Sequence, residues 1–219
     1  ADVPVIVGGV LAGPEILPIR ETETRGSTGI SLTPDPALLF ARLKFFFPHT
    51  RRVLVVYSAQ RNEWLIRLAR EAARSHGLEL IALEASDLGS AVRHYAHAFA
   101  AADGRRDAVW LLQDAATLDE NTILPLVLRE SWNRNVPVFS SSFQHVKKGV
   151  LFALYPDNIQ LGRSLAASAE QALSGDARRG VLLPLRDVHL AVNLRTAGHL
   201  GLRFSRQQQR SFDMVFPEP

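Results

Sequence analysis

Short hydroxyl and carboxylate side chains stand just after the apolar runs of this chain. Ser58 follows Arg52–Tyr57 (RVLVVY), and Gln113 and Asp114 follow Ala108–Leu112 (AVWLL). Ser140, Ser141 and Ser142 follow Val136–Phe139, and Gly8 and Gly9 follow the run Val3–Val7. If the runs are parallel strands, these residues gather beyond strand carboxyl ends, where open α/β sheets bind ligands. Hydroxyls and one carboxylate there suit the amine, carboxylate or hydroxyl groups of a small polar molecule. The same residues have a local use: Ser58 and Asp114 are of the types that cap a following helix.

Other chemistries find less support. Ser58 and the serine run lack the Gly-x-Ser-x-Gly elbow of a nucleophilic serine, and His145 is near the serines only in sequence. His94 and His97 share a helical face, yet no third metal ligand is evident. Gly162-Arg163-Ser164 lacks the Gly-Lys-Ser/Thr of a phosphate loop. There is no cysteine, so no disulfide framework and no thiol chemistry. The expectation is a protein that is not an enzyme and carries neither cofactor nor metal.

The elements that must hold these residues alternate. Pro36–Phe47 reads as a helix opened by Thr33-Pro34-Asp35-Pro36 and stopped before Pro48. Beyond the strand 52–57 come a helix over Asn62–His76, a strand over Glu79–Leu83, a helix over Leu88–Ala102 and the strand 108–112. A helix over Thr117–Asn133, with a capping-box pattern at Thr117–Glu120, leads to the strand Val136–Phe139. Strands at Gly149–Leu154 and Val188–Val192 enclose a helix over Asp157–Leu173, and Gly198–Pro219 reads as a turn and a short polar helix. Residues 11–33 read as connection, with Gly29-Ile30-Ser31 extended. Trp64, Trp110 and Trp132 are expected in the core. Apolar strands alternating with amphipathic helices predict an α/β fold, a parallel sheet with helices on both faces.

Hydrophobic residues make up 47% and charged residues 21% of the 219, ordinary for a globular protein. The net charge of +3 is spread over scattered arginines with only three lysines, which argues against a nucleic-acid partner. No apolar run reaches the roughly 18 residues of a membrane span. Ala1 stands first and the only methionine is Met214, so the chain is expected to follow a removed signal peptide or a trimmed start. Asp2-Val3-Pro4-Val5-Ile6 recurs as Asn135-Val136-Pro137-Val138-Phe139. The second copy ends a regular series of strands and helices, and the first copy has none before it. One complete lobe and the end of another are therefore expected.

Four stretches carry a resemblance. They are VPVIVGGV with GSTGIS, ALLFARLKFFFPHTRRVLVVYSAQRN, YPDNIQLGRSLAASAEQALSG, and VHLAVNLRTAGHLGLRFS. In order and spacing the chain resembles the type I periplasmic binding fold, and within it the ABC-transporter solute-binding family that includes tryptophan- and tyrosine-related uptake proteins. The resemblance implies a periplasmic protein that binds a small molecule, an amino acid or related metabolite, between two lobes for uptake or sensing. It assigns 1–33 and 155–180 to a remnant of the first lobe with its hinge, and 34–154 and 181–219 to a complete second lobe. It makes Gly8, Gly9, Ser58, Asp114, Ser140 and Ser141 cleft positions, and sets Tyr155 and Asp157 beside the hinge, facing the ligand. Members carry a full first lobe before the equivalent of Val3. Without it, the stripe Leu161, Leu165, Ala169, Leu173 needs another cover, at about 1.5–3 kcal/mol per exposed leucine. A rearranged fragment, residues upstream of Ala1, a second copy in a homo-oligomer or an envelope protein partner would supply one. The alternative function follows: a degenerate lobe serving as a protein–protein interaction or dimerisation module.

Overall fold

The computed structural model describes residues 6–11, 28–174 and 181–217. In chain order these form β1 (Ile6–Val10), β2 (Thr28–Pro34), α1 (Pro36–Phe46), β3 (Arg52–Tyr57), α2 (Ala59–Ser75) and β4 (Glu79–Glu84). Next come α3 (Leu88–Ala101), β5 (Asp107–Leu111), α4 (Ile123–Arg134), β6 (Val138–Ser140), α5 (Phe143–Lys148) and β7 (Phe152–Pro156). The last are α6 (Asn158–Leu173), β8 (Val181–Leu185), β9 (Val188–Asn193), α7 (Leu194–His199), α8 (Arg206–Arg210) and β10 (Met214–Phe216). The chain divides into a smaller unit, Ala1–Asp35 with Pro156–Val188, and a larger one, Pro36–Tyr155 with His189–Pro219.

The larger unit is built on a seven-stranded sheet in the order β10-β9-β7-β6-β5-β3-β4. β3 pairs in parallel with β4 on one side and β5 on the other, and β6 and β7 continue in parallel from β5. The chain leaves β3 for one neighbour and comes back to the other, so the topological switch point falls between β3 and β5.

Alternation along the strands divides the core between two faces. Leu54, Val56, Val109, Leu111 and Val138 join Tyr95 and Phe99 of α3 and Ile123 and Val127 of α4 in one buried cluster. On the other face Trp110, Phe139 and Phe152 hold paired positions on β5, β6 and β7, with ring centres 6.4 Å and 5.2 Å apart. Phe40 and Phe46 of α1 meet Trp110 and Phe152 edge-on at 5.6 Å and 5.4 Å, an orientation that aromatic quadrupoles favour. Helices cover both faces, as apolar parallel strands require.

Several expectations change. Asn193 N donates to Leu151 O at 2.8 Å, and His189 meets the Tyr155 ring at 5.4 Å. The end of β9 thus lies at the start of β7, so β9 runs antiparallel to β7 and the sheet is mostly, not wholly, parallel. α4 begins at Ile123 rather than Thr117. The Asp119 carboxylate accepts from the backbone of Asn121, Thr122 and Ile123, which makes 117–122 a turn before the helix. α5 and most of α7 lie in stretches to which the sequence assigns no element, and β10 lies in the tail expected to be a turn and a polar helix. Trp64 and Trp110 are buried, but Trp132 is 41% exposed and stacks on His199 at 3.6 Å. The second copy of the repeated phrase has a local cause. Asn135 ends α4 at a left-handed φ of 54°, and Pro137-Val138 then enters β6. Residues 2–5 of the first copy lie outside the described residues.

The smaller unit holds a parallel three-stranded sheet in the order β1-β2-β8. Of the strand expected at Val3–Val7, residues 3–5 lie outside the described residues; β1 covers Ile6–Val10, so Gly8 and Gly9 lie within a strand, not after it. A Cβ on Gly8 would stand 2.5 Å from the Leu165 side chain, so the glycine lets α6 close on β1. Gly9 has φ +78° at a bulge between Gly8 and Val10, a conformation glycine adopts without strain. β8 fills the free edge of β2, so 181–185 pair within this unit instead of with 189–219. Of the leucine stripe, Leu161 is buried, Leu165 covers Gly8, and Leu173 is 80% exposed.

In the larger unit Arg52 grips Asp107 with two hydrogen bonds, 2.7 and 2.6 Å, at the amino ends of β3 and β5. Asp107 also accepts from Asp103 N at 2.8 Å. Replacing Asp107 with Ala strands a guanidinium and a backbone N–H. Urea unfolding is expected to show a loss of about 2–3 kcal/mol; a loss under about 0.5 kcal/mol would reduce the contact to an ordinary surface pair.

Candidate functional site

The carboxyl ends of β3, β5 and β6 lie side by side in the larger unit, and they carry Ser58, Asp114 and Ser140–Ser142. The structure joins the first two directly. Asp114, 3% exposed, accepts from Ser58 N at 3.2 Å and Asn62 Nδ2 at 2.8 Å through one oxygen, and from Ala116 N at 3.0 Å through the other. Three of about four acceptor positions of a carboxylate are then in use. Asp114 clamps the start of α2 to the turn after β5, across the switch point. Its role is to hold Ser58 and Asn62 in place. Asn62 escapes a reading centred on strand ends because it lies one helical turn beyond Ser58.

Ser58 differs. It is the N-cap of α2, but its side chain makes no cap hydrogen bond, and no acidic residue occupies the first turn of this 17-residue helix. A hydroxyl and the positive end of a helix therefore stand together beside the switch point, a combination suited to a carboxylate. Ser142 repeats the pattern on α5, as an N-cap without a side-chain cap hydrogen bond.

Ser140 and Ser141 are used by the fold. Ser140 is 0% exposed; its hydroxyl donates to Leu111 O at 3.3 Å, accepts from Ser142 N at 3.0 Å and shares a 2.7 Å contact with His145 Nδ1. This serine–histidine pair is sealed from any substrate. Ser141 accepts from Trp110 Nε1 at 3.1 Å in the interior. Tyr155, one residue before the end of β7, packs between Phe143 and His189, each ring centre 5.4 Å away. Gly8 and Gly9 lie in the smaller unit, on β1, where packing and the bulge account for both. Asp157, also in that unit, caps α6 through Ile159 N and Gln160 N, both at 3.0 Å. Among the described residues no three His, Asp or Glu side chains converge as metal ligands, and His94 and His97 have no third. Among the described residues no helix is long and apolar enough to cross a membrane.

The larger unit's mostly parallel sheet with helices on both faces is that of the type I periplasmic binding fold. A family model for ABC transporter substrate binding protein matches residues 1–208, and the chain belongs to that family. It is a family of solute-binding proteins, not an enzyme class. Two solved structures share the fold. A conserved domain protein from Vibrio cholerae O1 biovar El Tor is 19% identical with a TM-score of 0.63, over 87% of this chain and 63% of that one. An ABC domain in complex with L-Trp from Streptococcus pneumonia is 17% identical with a TM-score of 0.68, over 98% of this chain and 74% of that one. The chain thus spans 63% and 74% of the lengths of these two relatives. No curated protein matches in sequence.

Burial, only partly offset by Glu120, holds the His145 imidazole below its ordinary value of 6.5. The unfolded chain then binds a proton more readily than the folded one. Stability from this group is complete above the unfolded value and falls as pH drops below 6.5 toward the folded one. Urea titrations from pH 7.5 to about 5 are expected to show that decline in the wild type, and a shallower one in a His145→Gln variant. Parallel slopes would remove His145 as the cause.

Proposed function

We propose that this chain binds a small polar molecule bearing a carboxylate, an amino acid or a related metabolite, for uptake or sensing with an ABC transporter as membrane partner. The observation that carries the reading is Ser58. Its hydroxyl makes no cap bond, it sits at a helix N-terminus without a first-turn acid, and Asp114 fixes its backbone at the switch point. Ser142 extends the same edge. Asp114, Ser140 and Ser141 act by positioning, since their polar atoms are already bonded. The L-Trp complex of the Streptococcus relative supports an amino acid as the first ligand class to try. A periplasmic location accords with the family.

A second reading rests on the smaller unit. Ile159 is 69% and Leu173 80% exposed, both on α6, and Leu11 and Leu183 are exposed in the same unit. Apolar side chains of this kind mark interfaces. They support self-association or an envelope protein partner, in addition to ligand binding or in place of it.

Calorimetric titration with the common L-amino acids and simple sugars tests the first reading. A carboxylate ligand is expected to bind, and Ser58→Ala to weaken it more than tenfold, about 1.4 kcal/mol, with an unchanged melting temperature. Unaltered affinity in Ser58→Ala would remove the residue from the site. Sedimentation addresses the second reading: a dimer that Leu173→Asp converts to monomer supports it, and a wild-type monomer excludes self-association.

A further inference from the structure

A further cavity lies at the other edge of the sheet. It has a volume of about 810 Å³ and is formed where the end of α1 and the loops entering β3 and β5 meet residues 200–202. Phe47, Pro48, Leu200 and Leu202 give it apolar walls. Arg51, Arg105 and Arg106 also line it, with His49, and no acidic residue does. Among the described residues none of these three arginines has a carboxylate partner, whereas the adjacent Arg52 is held by Asp107. The excess positive charge is felt nearby. Lys44 is pushed below the ordinary lysine range, first by burial and then by the charge of Arg51.

The backbone that carries the walls is tied before any ligand arrives, and the Arg51, Arg105 and Arg106 side chains stand exposed on it. Arg51 N and Arg52 N both donate to Arg106 O, at 2.7 and 3.0 Å, which ties the two arginine-bearing loops together. Arg105 N donates to Asp103 Oδ1 at 2.9 Å. A Cβ on Gly104 would stand 2.6 Å from Asn135 O, so this glycine lets the loop before β5 close on the end of α4. Lys44 Nζ bridges Pro48 O and Thr50 O at 2.7 and 3.0 Å. A tied backbone lowers the ordering cost of binding, and the volume is in the range of small-molecule pockets. Guanidinium groups match the paired oxygens of carboxylates and phosphates.

We propose that this cavity is a second ligand site, for an amphiphilic anion: a phosphate or carboxylate head held by Arg51, Arg105 and Arg106, and a compact aromatic or aliphatic body against Phe47, Pro48 and Leu202. It is independent of the carboxyl-edge site. The head can belong to a soluble metabolite or to a lipid.

The test uses the full chain and 1-naphthyl phosphate, with 1-naphthol and inorganic phosphate as the separated halves, in calorimetry at low salt. The ester is expected to bind at least tenfold more tightly than either half. Arg51→Gln with Arg105→Gln should weaken it more than tenfold, at an unchanged melting temperature, since the hydrogen bonds described for both residues are made by backbone groups. Ser58→Ala should bind it like the wild type. In a second arm, sedimentation with phosphatidylglycerol vesicles that the double variant abolishes assigns the head to a lipid; ester binding without sedimentation assigns it to a soluble anion. Absence of binding in both arms overturns the proposal, as does naphthol binding as well as its phosphate, or a double variant that binds like the wild type.

Discussion

A parallel sheet buried on both faces gives polar chemistry only two places to stand, the two ends of its strands. In the larger unit β5 and β6 are buried at every residue, and β3 at every residue but its first. Trp110, Phe139 and Phe152 fill one side and the α3–α4 cluster the other. What the protein can recognise is therefore set by the residues just before and just after each strand. Beyond β3, β5 and β6 stand hydroxyls and the Asp114 carboxylate; before β3 and β5 stand the guanidinium groups of Arg51, Arg105 and Arg106.

At each edge the fold uses some of these groups and leaves others. At the carboxyl edge the Asp114 carboxylate is taken by Ser58 N, Asn62 and Ala116, and the Ser140 hydroxyl by Leu111, Ser142 and His145. The hydroxyls of Ser58 and Ser142 make no cap bonds. At the amino edge Asp107 takes Arg52 and leaves Arg51 to the cavity. Neighbouring residues of one type thus separate by hydrogen-bond accounting: Asp114 and Ser140 are tied into the fold, whereas the Ser58 and Ser142 side chains, 7% and 6% exposed, make no cap bond.

The strands β3, β4 and β5 and the helices between them are legible in the sequence because apolar periodicity directly reflects burial on one or both faces. What is not legible depends on pairing. β8 and β10 are short and look like loop or tail; only the free edges of β2 and β9 make them strands. The reversed direction of β9 leaves no mark on Val188–Val192, since either direction accepts the same apolar run. Gly8 reads as a loop glycine, and only the approach of Leu165 shows why it lies within a strand. Among the candidate site residues, strand-end position picks out Ser58, Asp114 and the serine run together. Their separation into bonded and unbonded groups depends on distances between segments far apart in the chain. The basic cavity is missed for the same reason: Arg51 and Arg105–Arg106 read as scattered surface charge until β3 and β5 pair and bring them together.

Backbone amide shifts recorded by NMR during titration with L-amino acids test the central claim most directly. Binding at the carboxyl edge predicts that the largest shifts cluster at 57–62, 112–116 and 140–143, with 49–51 and 104–106 at the amino edge unmoved. Shifts confined to the amino edge, or an absence of saturable shifts for every amino acid tried, would contradict it.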